Sequence, residues 1–182
     1  MTRILGLSGS LRRHSFNSGL LRAAAEAMPE GATLEIGSIA EIPLYDGDIE
    51  AEGIPPAVVA LKDRVAGADG LLLVSPEYNN SIPGVFKNAI DWLSRPSSDI
   101  ARIFRGKPVA LIGASPGNFG TILSQAAWLP VLRTLGAEHW AEGRLLVSHA
   151  GDVFDGEGNL TDEPTREKLA KYLAGFVAHI RG

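Results

Sequence analysis

Two stretches of this sequence admit almost no polar residue: "GLLLVS", Gly70 to Ser75, and "VALIG", Val109 to Gly113. A strand with one face in water alternates apolar and polar side chains. A run that is apolar at nearly every position suits a strand covered on both faces, the condition of a parallel sheet held between helices. Strand-like runs occur at Arg3–Ser8, Thr33–Gly37, Gly70–Ser75, Pro108–Gly113 and Arg144–Ser148. Helical patterns lie between and after them. Val85, Phe86, Ala89, Ile90 and Leu93 fall on one helix face, and Leu169, Tyr172, Leu173, Phe176, Val177 and Ile180 fall on another. A further helix near Gly120–Gly136 contains Pro130, which is expected to kink or split it.

Alternation of this kind predicts an α/β fold in which a parallel sheet carries helices on both faces. Five strands match the flavodoxin-like arrangement, order 2-1-3-4-5. The 182 residues favour one domain, 1–182, and no repeat, low-complexity tract or linker divides them. In such a sheet ligands bind at the carboxyl ends of the strands, where the strand order reverses. The loops after strands one, three and four are therefore the ones to read.

The first of these loops is "SGSLRRHSFN", feeding a helix that starts near Ser18. A helix N-terminus offers unpaired N–H groups and the positive end of a dipole. Ser10 and Ser15 add hydroxyl donors, Arg12 can grip two oxygens of a phosphate, and Asn17 can cap the helix and donate to an anion. The loop has neither the Gly-Lys of a Walker loop nor a G-x-G-x-x-G fingerprint. Side chains do here what glycines do there, which suits one terminal phosphate, as in a flavin mononucleotide. The bland alternative is an ordinary capped turn, with Arg13 and His14 solvated.

After strand three, Pro76, Glu77, Tyr78, Asn79, Asn80 and Ser81 gather at the same edge. Tyr78 offers an aromatic surface with a polar tip and Asn79 an amide, groups that would serve a flat heteroaromatic ring. After strand four, "GASPGNFGT" holds Ser115, Gly117 and Gly120, which leave N–H groups bare for the pyrimidine edge of a flavin. Each loop also has a bland reading, as a Pro-Gly helix start and a glycine-rich turn.

At this point the residues resemble a known family. "GSLRRHSFN" and "SPEYNNSIPGVFKNAIDWLSR" look like the two signature segments of the NADPH-dependent FMN reductases, in their chromate and quinone reductase branch. "EIPLYDGDIE" and "GKPVALIGASPG" are similar to that family too, so the likeness runs from Ile4 to the last helix. The resemblance implies a flavodoxin-like fold binding FMN, with NADPH or NADH as hydride donor. It implies that Ser10, Arg12, Ser15, Phe16 and Asn17 hold the phosphate. Pro76, Glu77, Tyr78 and Asn79 would line the isoalloxazine ring, with Ser115 and Gly117 near its other edge. It further implies a homodimer or homotetramer in which a second subunit closes the flavin pocket. One departure stands out: the family often carries Gly-Gly in the third loop, where this sequence reads "NFGT".

Composition narrows the alternatives. The net charge of -4 offers no basic field for nucleic acid or an anionic membrane. No apolar run approaches the ~20 residues of a bilayer span, and no signal peptide is expected. With no cysteine and four scattered histidines, thiol chemistry is excluded, a metal site is not expected, and a cytoplasmic location is. Redox chemistry would then be the cofactor's, with NAD(P)H and a quinone, flavin, azo, nitro or chromate acceptor using one flavin face in turn. The rivals are a flavodoxin-type electron carrier and a phosphate-binding module without redox function. The acidic segment "GDVFDGEGNLTDEP" fails EF-hand spacing, because Leu160 stands where glycine is required. It reads as a surface turn with Thr161 or Asp162 capping the last helix.

Overall fold

The computed structural model describes residues 1–182. Four strands, β1 (Thr2–Ser8), β2 (Ala32–Gly37), β3 (Gly70–Val74) and β4 (Pro108–Ala114), run parallel in the order β2-β1-β3-β4. The helices are α1 (Phe16–Glu26), α2 (Gly47–Glu52), α3 (Pro56–Gly67), α4 (Gly84–Leu93), α5 (Ile100–Ile103), α6 (Ile122–Leu135), α7 (Ala150–Val153) and α8 (Glu163–Arg181).

The predicted order 2-1-3-4-5 holds, with one difference at the edge. The fifth position was expected to be the single run Arg144–Ser148. Two short lengths share it: β5 (Glu138–His139) lies beside Pro108–Val109, and β6 (Leu145–Val147) beside Ile112–Ala114. Between them Trp140–Arg144 leave the sheet. Where the strand departs, the Tyr172 hydroxyl reaches across from α8 and donates to the carbonyl of Leu111 at 2.9 Å. A helix side chain thus serves β4 at the break in its neighbour.

Alternate residues of each strand enter opposite cores. Ile4, Leu72, Val74, Ala110 and Ile112 pack against Leu20, Leu21 and Ala24 of α1 and Leu169, Leu173, Phe176 and Val177 of α8. Leu5, Leu7, Leu71, Leu73, Val109 and Leu111 pack against α3, α4 and α6 through Leu61, Val65, Phe86, Ile90, Trp128 and Leu132. Strand β3 is buried at every position, which is why its sequence never alternates.

The helix ends differ from expectation in instructive ways. The first helix begins at Phe16 rather than near Ser18, and its N-cap is Ser15, whose Oγ accepts from Ser18 N at 3.3 Å. Asn17, expected as the cap, lies inside the helix and is buried. Pro130 neither splits α6 nor ends it. Ala126 and Pro130 both face solvent, so water can satisfy the carbonyl that the proline ring cannot. Asp162 caps α8, accepting from Thr165 N at 2.9 Å and Thr165 Oγ1 at 2.6 Å. Those bonds hold its carboxyl below the usual range.

The Tyr172 phenol is pushed above its ordinary pKa, chiefly by burial. Tyr172→Phe is expected to lower stability by about 1 kcal/mol, because the hydrogen bond to the Leu111 carbonyl is lost. Urea denaturation at neutral pH checks this. The neutral phenol's contribution is complete below the ordinary phenol pKa of about 10 and is lost above it. The gap between wild type and variant should therefore shrink as the pH rises past that value.

Candidate functional site

The three loops singled out from the sequence meet at the carboxyl edge of β1, β3 and β4, and they are bonded to one another. The first joins β1 to α1. Ser10 and Ser15 are buried there, 8% and 2% exposed, while Arg12 is exposed. Ser10 Oγ accepts from Arg12 N at 3.4 Å, and Ser8 Oγ and Ser18 Oγ lie 3.1 Å apart. The N–H groups of Phe16 and Asn17, first in the helix, take no acceptor from the protein. The Arg12 guanidinium has no acidic partner. It sits over the Phe16 ring, 5.2 Å from the centroid. An unspent cation, buried hydroxyls and open helix N–H groups converge there, a donor set that fits a phosphate dianion.

Asn17 binds elsewhere. Its Nδ2 donates to Ala114 O at 2.8 Å and its Oδ1 accepts from Ala114 N at 2.9 Å. The amide therefore mimics a strand neighbour at the last residue of β4. It fixes the third loop against the first.

The second loop makes a miniature hairpin. Tyr78 N donates to Ser81 O at 3.1 Å and Ser81 N to Tyr78 O at 3.0 Å. Asn79 and Asn80 between them take φ of 50° and 62°. Positive φ at both central positions is the signature of a type I′ turn, and asparagine tolerates it better than most residues. The turn lifts Tyr78 to the surface, 49% exposed, with Asn79 beside it, while Pro76 is buried below. Glu77 points the other way. Its Oε2 accepts from Leu123 N at 2.8 Å and Ser124 N at 3.0 Å, so a carboxylate from the second loop serves the first turn of α6.

The third loop turns on Ser115 and Gly120. Ser115 Oγ donates to Gly120 O at 2.5 Å, and Gly120 has φ of 60°. Ser115 N donates to Val147 O, and His149 N donates to Gly117 O. Gly117 is exposed, with Pro116, Asn118 and Phe119 around it.

Two supports have a structural role that the sequence did not reveal. The segment "EIPLYDGDIE" straps α4: Asn88 Nδ2 and Trp92 Nε1 both donate to Pro43 O, at 2.8 and 2.9 Å. Glu50 accepts from Tyr45 and Arg95, and the Arg95 bond foremost holds its carboxyl below the usual range. The turn at Asp155–Asn159, expected as plain surface, packs on the first loop. Gly158 has φ of +77°, and a Cβ there would stand 3.0 Å from the backbone of His14. Arg22 donates to Gly158 O at 3.2 Å and to Asn159 Oδ1 at 2.8 Å.

Comparison with known proteins places the chain among flavin-dependent reductases. The family model for NADPH-dependent FMN reductases matches residues 2–152. An NAD(P)H-dependent FMN reductase of Pseudomonas aeruginosa is 41% identical over 98% of this chain and 95% of its own. A 2-hydroxy-1,4-benzoquinone reductase of a Burkholderia species is 37% identical over 98% of this chain and 96% of its own. Among solved structures, the flavoenzyme NAD(P)H:acceptor oxidoreductase FerB of Paracoccus denitrificans superposes with a TM-score of 0.88 at 32% identity. The match covers 100% of this chain and 98% of that one.

Asn17→Leu should lower stability by about 2–4 kcal/mol, since it leaves both backbone groups of Ala114 buried without partners. Glu77→Ala should cost about 1 kcal/mol through the first turn of α6. Thermal denaturation of the two variants without added ligand would show the larger loss at Asn17.

Proposed function

The chain belongs to the NADPH-dependent FMN reductase family and is an FMN-dependent NAD(P)H oxidoreductase, and we propose that the three-loop edge is its flavin site. The observation that carries the assignment is the lone Arg12 cation beside buried hydroxyls and two open helix N–H groups. Ser10, Arg12 and Ser15, with the N–H groups of Phe16 and Asn17, take the FMN phosphate. The Asn17 side chain contributes by tying the third loop to the first.

FMN supplies the chemistry, accepting two electrons as hydride and passing them on. The protein positions and screens. Pro76 and the raised turn of Tyr78 and Asn79 line one part of the ring's seat. Glu77 acts on it from behind by holding the start of α6. Gly117 stands at the pyrimidine edge, where its N–H favours negative charge; the Ser115 N–H, expected to be bare, is taken by Val147 O, so Ser115 shapes that edge by closing the loop on Gly120. No general acid is assigned, and water at an open site protonates the product.

The acceptors are small molecules, quinones first, with flavins, azo and nitro compounds and chromate within range of an open face. NADPH or NADH is the donor. The whole chain, 1–182, acts as one domain in a cytoplasmic homodimer or homotetramer. Exposed Leu44 and Phe119, 79% and 74% accessible, support association through the rim.

Protein loaded with FMN under anaerobic conditions should bleach on addition of NADPH and recover with a quinone. Bound flavin that NADPH leaves oxidised would point to an electron carrier instead. Arg12→Ala should weaken FMN binding by about 1.5–3 kcal/mol, the scale of a charge-assisted hydrogen bond. Unchanged affinity in that variant would remove the phosphate assignment. Tyr78→Ala should alter turnover or acceptor range with the fold intact, and wild-type kinetics with every acceptor would take Tyr78 out of the site.

A further inference from the structure

Arg12 is exposed, and no carboxylate holds it. A free arginine side chain in water loses rotamer freedom when a ligand immobilises it. Anything that orders it beforehand strengthens the grip. Here the guanidinium rests 5.2 Å over the Phe16 ring, and Phe16 in turn lies 5.2 Å from the Phe154 ring at a 40° tilt. Phe154 is 6% exposed and sits in the core packed between α1 and α8. The stack therefore runs from the interior, through a ring at the first position of α1, to the cation.

Phe154 is itself fixed. It pairs with Leu160 across the turn, and the Asp155 carboxylate holds that turn by accepting from the N–H groups of Glu157 and Asn159 at 3.0 and 2.8 Å. Gly158 presses on the backbone of His14 and Ser15, and a Cβ on Gly19 would run into the Gly158 carbonyl. His14 Nδ1 lies 3.2 Å from Glu157 Oε2, and Arg22 holds Gly158 and Asn159. Every residue from His14 to Gly19 that faces this turn is braced by it.

We propose that Phe154 is a positioning residue for phosphate recognition: through Phe16 it pre-orders the Arg12 guanidinium, so the 154–160 turn sets how firmly the flavin nucleotide is retained. The proposal rests on the assignment of the first loop to the FMN phosphate. It concerns the phosphate alone, so it makes a prediction that general support of the fold does not. Removing the Phe154 ring should weaken FMN and leave riboflavin, which has the same ring system without the phosphate, almost unaffected.

The test is the ratio of FMN to riboflavin affinity, by fluorescence quenching, in wild type, Phe154→Leu, Arg12→Ala and the double variant. Phe154→Leu should lower the ratio about two- to fivefold, the scale of an exposed cation–aromatic contact. In the Arg12→Ala background the same change should leave the ratio where it is. Phe16→Leu, which removes the ring beneath the cation, gives a second reading should Phe154→Leu fold poorly. Equal weakening of both ligands, or a ratio that falls as much without Arg12 as with it, would overturn the proposal and leave Phe154 a packing residue. If Arg12→Ala itself leaves the ratio unchanged, the phosphate assignment fails. If Arg12→Ala lowers it and neither phenylalanine variant does, only the positioning role fails.

Discussion

One buried amide holds the edge of this sheet together. Asn17 projects from the first turn of α1 and satisfies both backbone groups of Ala114, the residue where β4 gives way to its loop. A strand end has no neighbour to complete its ladder, and a buried backbone group without a partner costs about as much as a lost hydrogen bond. The asparagine supplies that partner from a helix. Because its two bonds are reciprocal and short, the start of α1 and the end of β4 cannot move independently. Two further contacts extend the frame this one begins: Glu77 ties the second loop to α6, and within the third loop Ser115 closes on Gly120.

The consequence is a division of labour among polar groups that sit within a few residues of one another. Asn17, Glu77 and Ser115 spend their side chains on backbone. Arg12, Tyr78, Asn79 and the first N–H groups of α1 are left free at the rim. A cofactor that carries its own chemistry needs such an arrangement: fixed backbone to shape its seat and a few unspent groups to hold it. The sheet beneath supplies rigidity, since β3 is buried throughout and both faces are packed.

Most of the fold was legible in the sequence, and so was the gathering of three polar loops at one edge of the sheet. Continuous apolar runs mark doubly covered strands, and polar loops can follow them only at the sheet's edge. What stayed hidden depended on partners far along the chain. Asn17 reads locally as a cap because its true partner is 97 residues away. Ser15, two residues earlier, takes the cap. Glu77 reads as a ring-lining group until α6 is placed beside it. Gly158 and Phe154 belong to a segment whose composition says only "turn", and their packing on the first loop appears once α8 is laid against α1. The two-residue length of β5 is too short to carry any period, so the fifth strand read as one piece.

That divided strand has a bearing on what the molecule avoids. An edge strand presents a row of free N–H and C=O groups on which another chain can build a sheet. Here the outer edge next to β4 consists of two residues, a five-residue excursion and three more. Neither length can template a neighbour of useful extent, and the excursion between them, with Glu142 and Arg144 exposed, obstructs any strand laid along both. The irregularity that disguised the strand in the sequence thus guards this side of the protein against sheet-to-sheet aggregation.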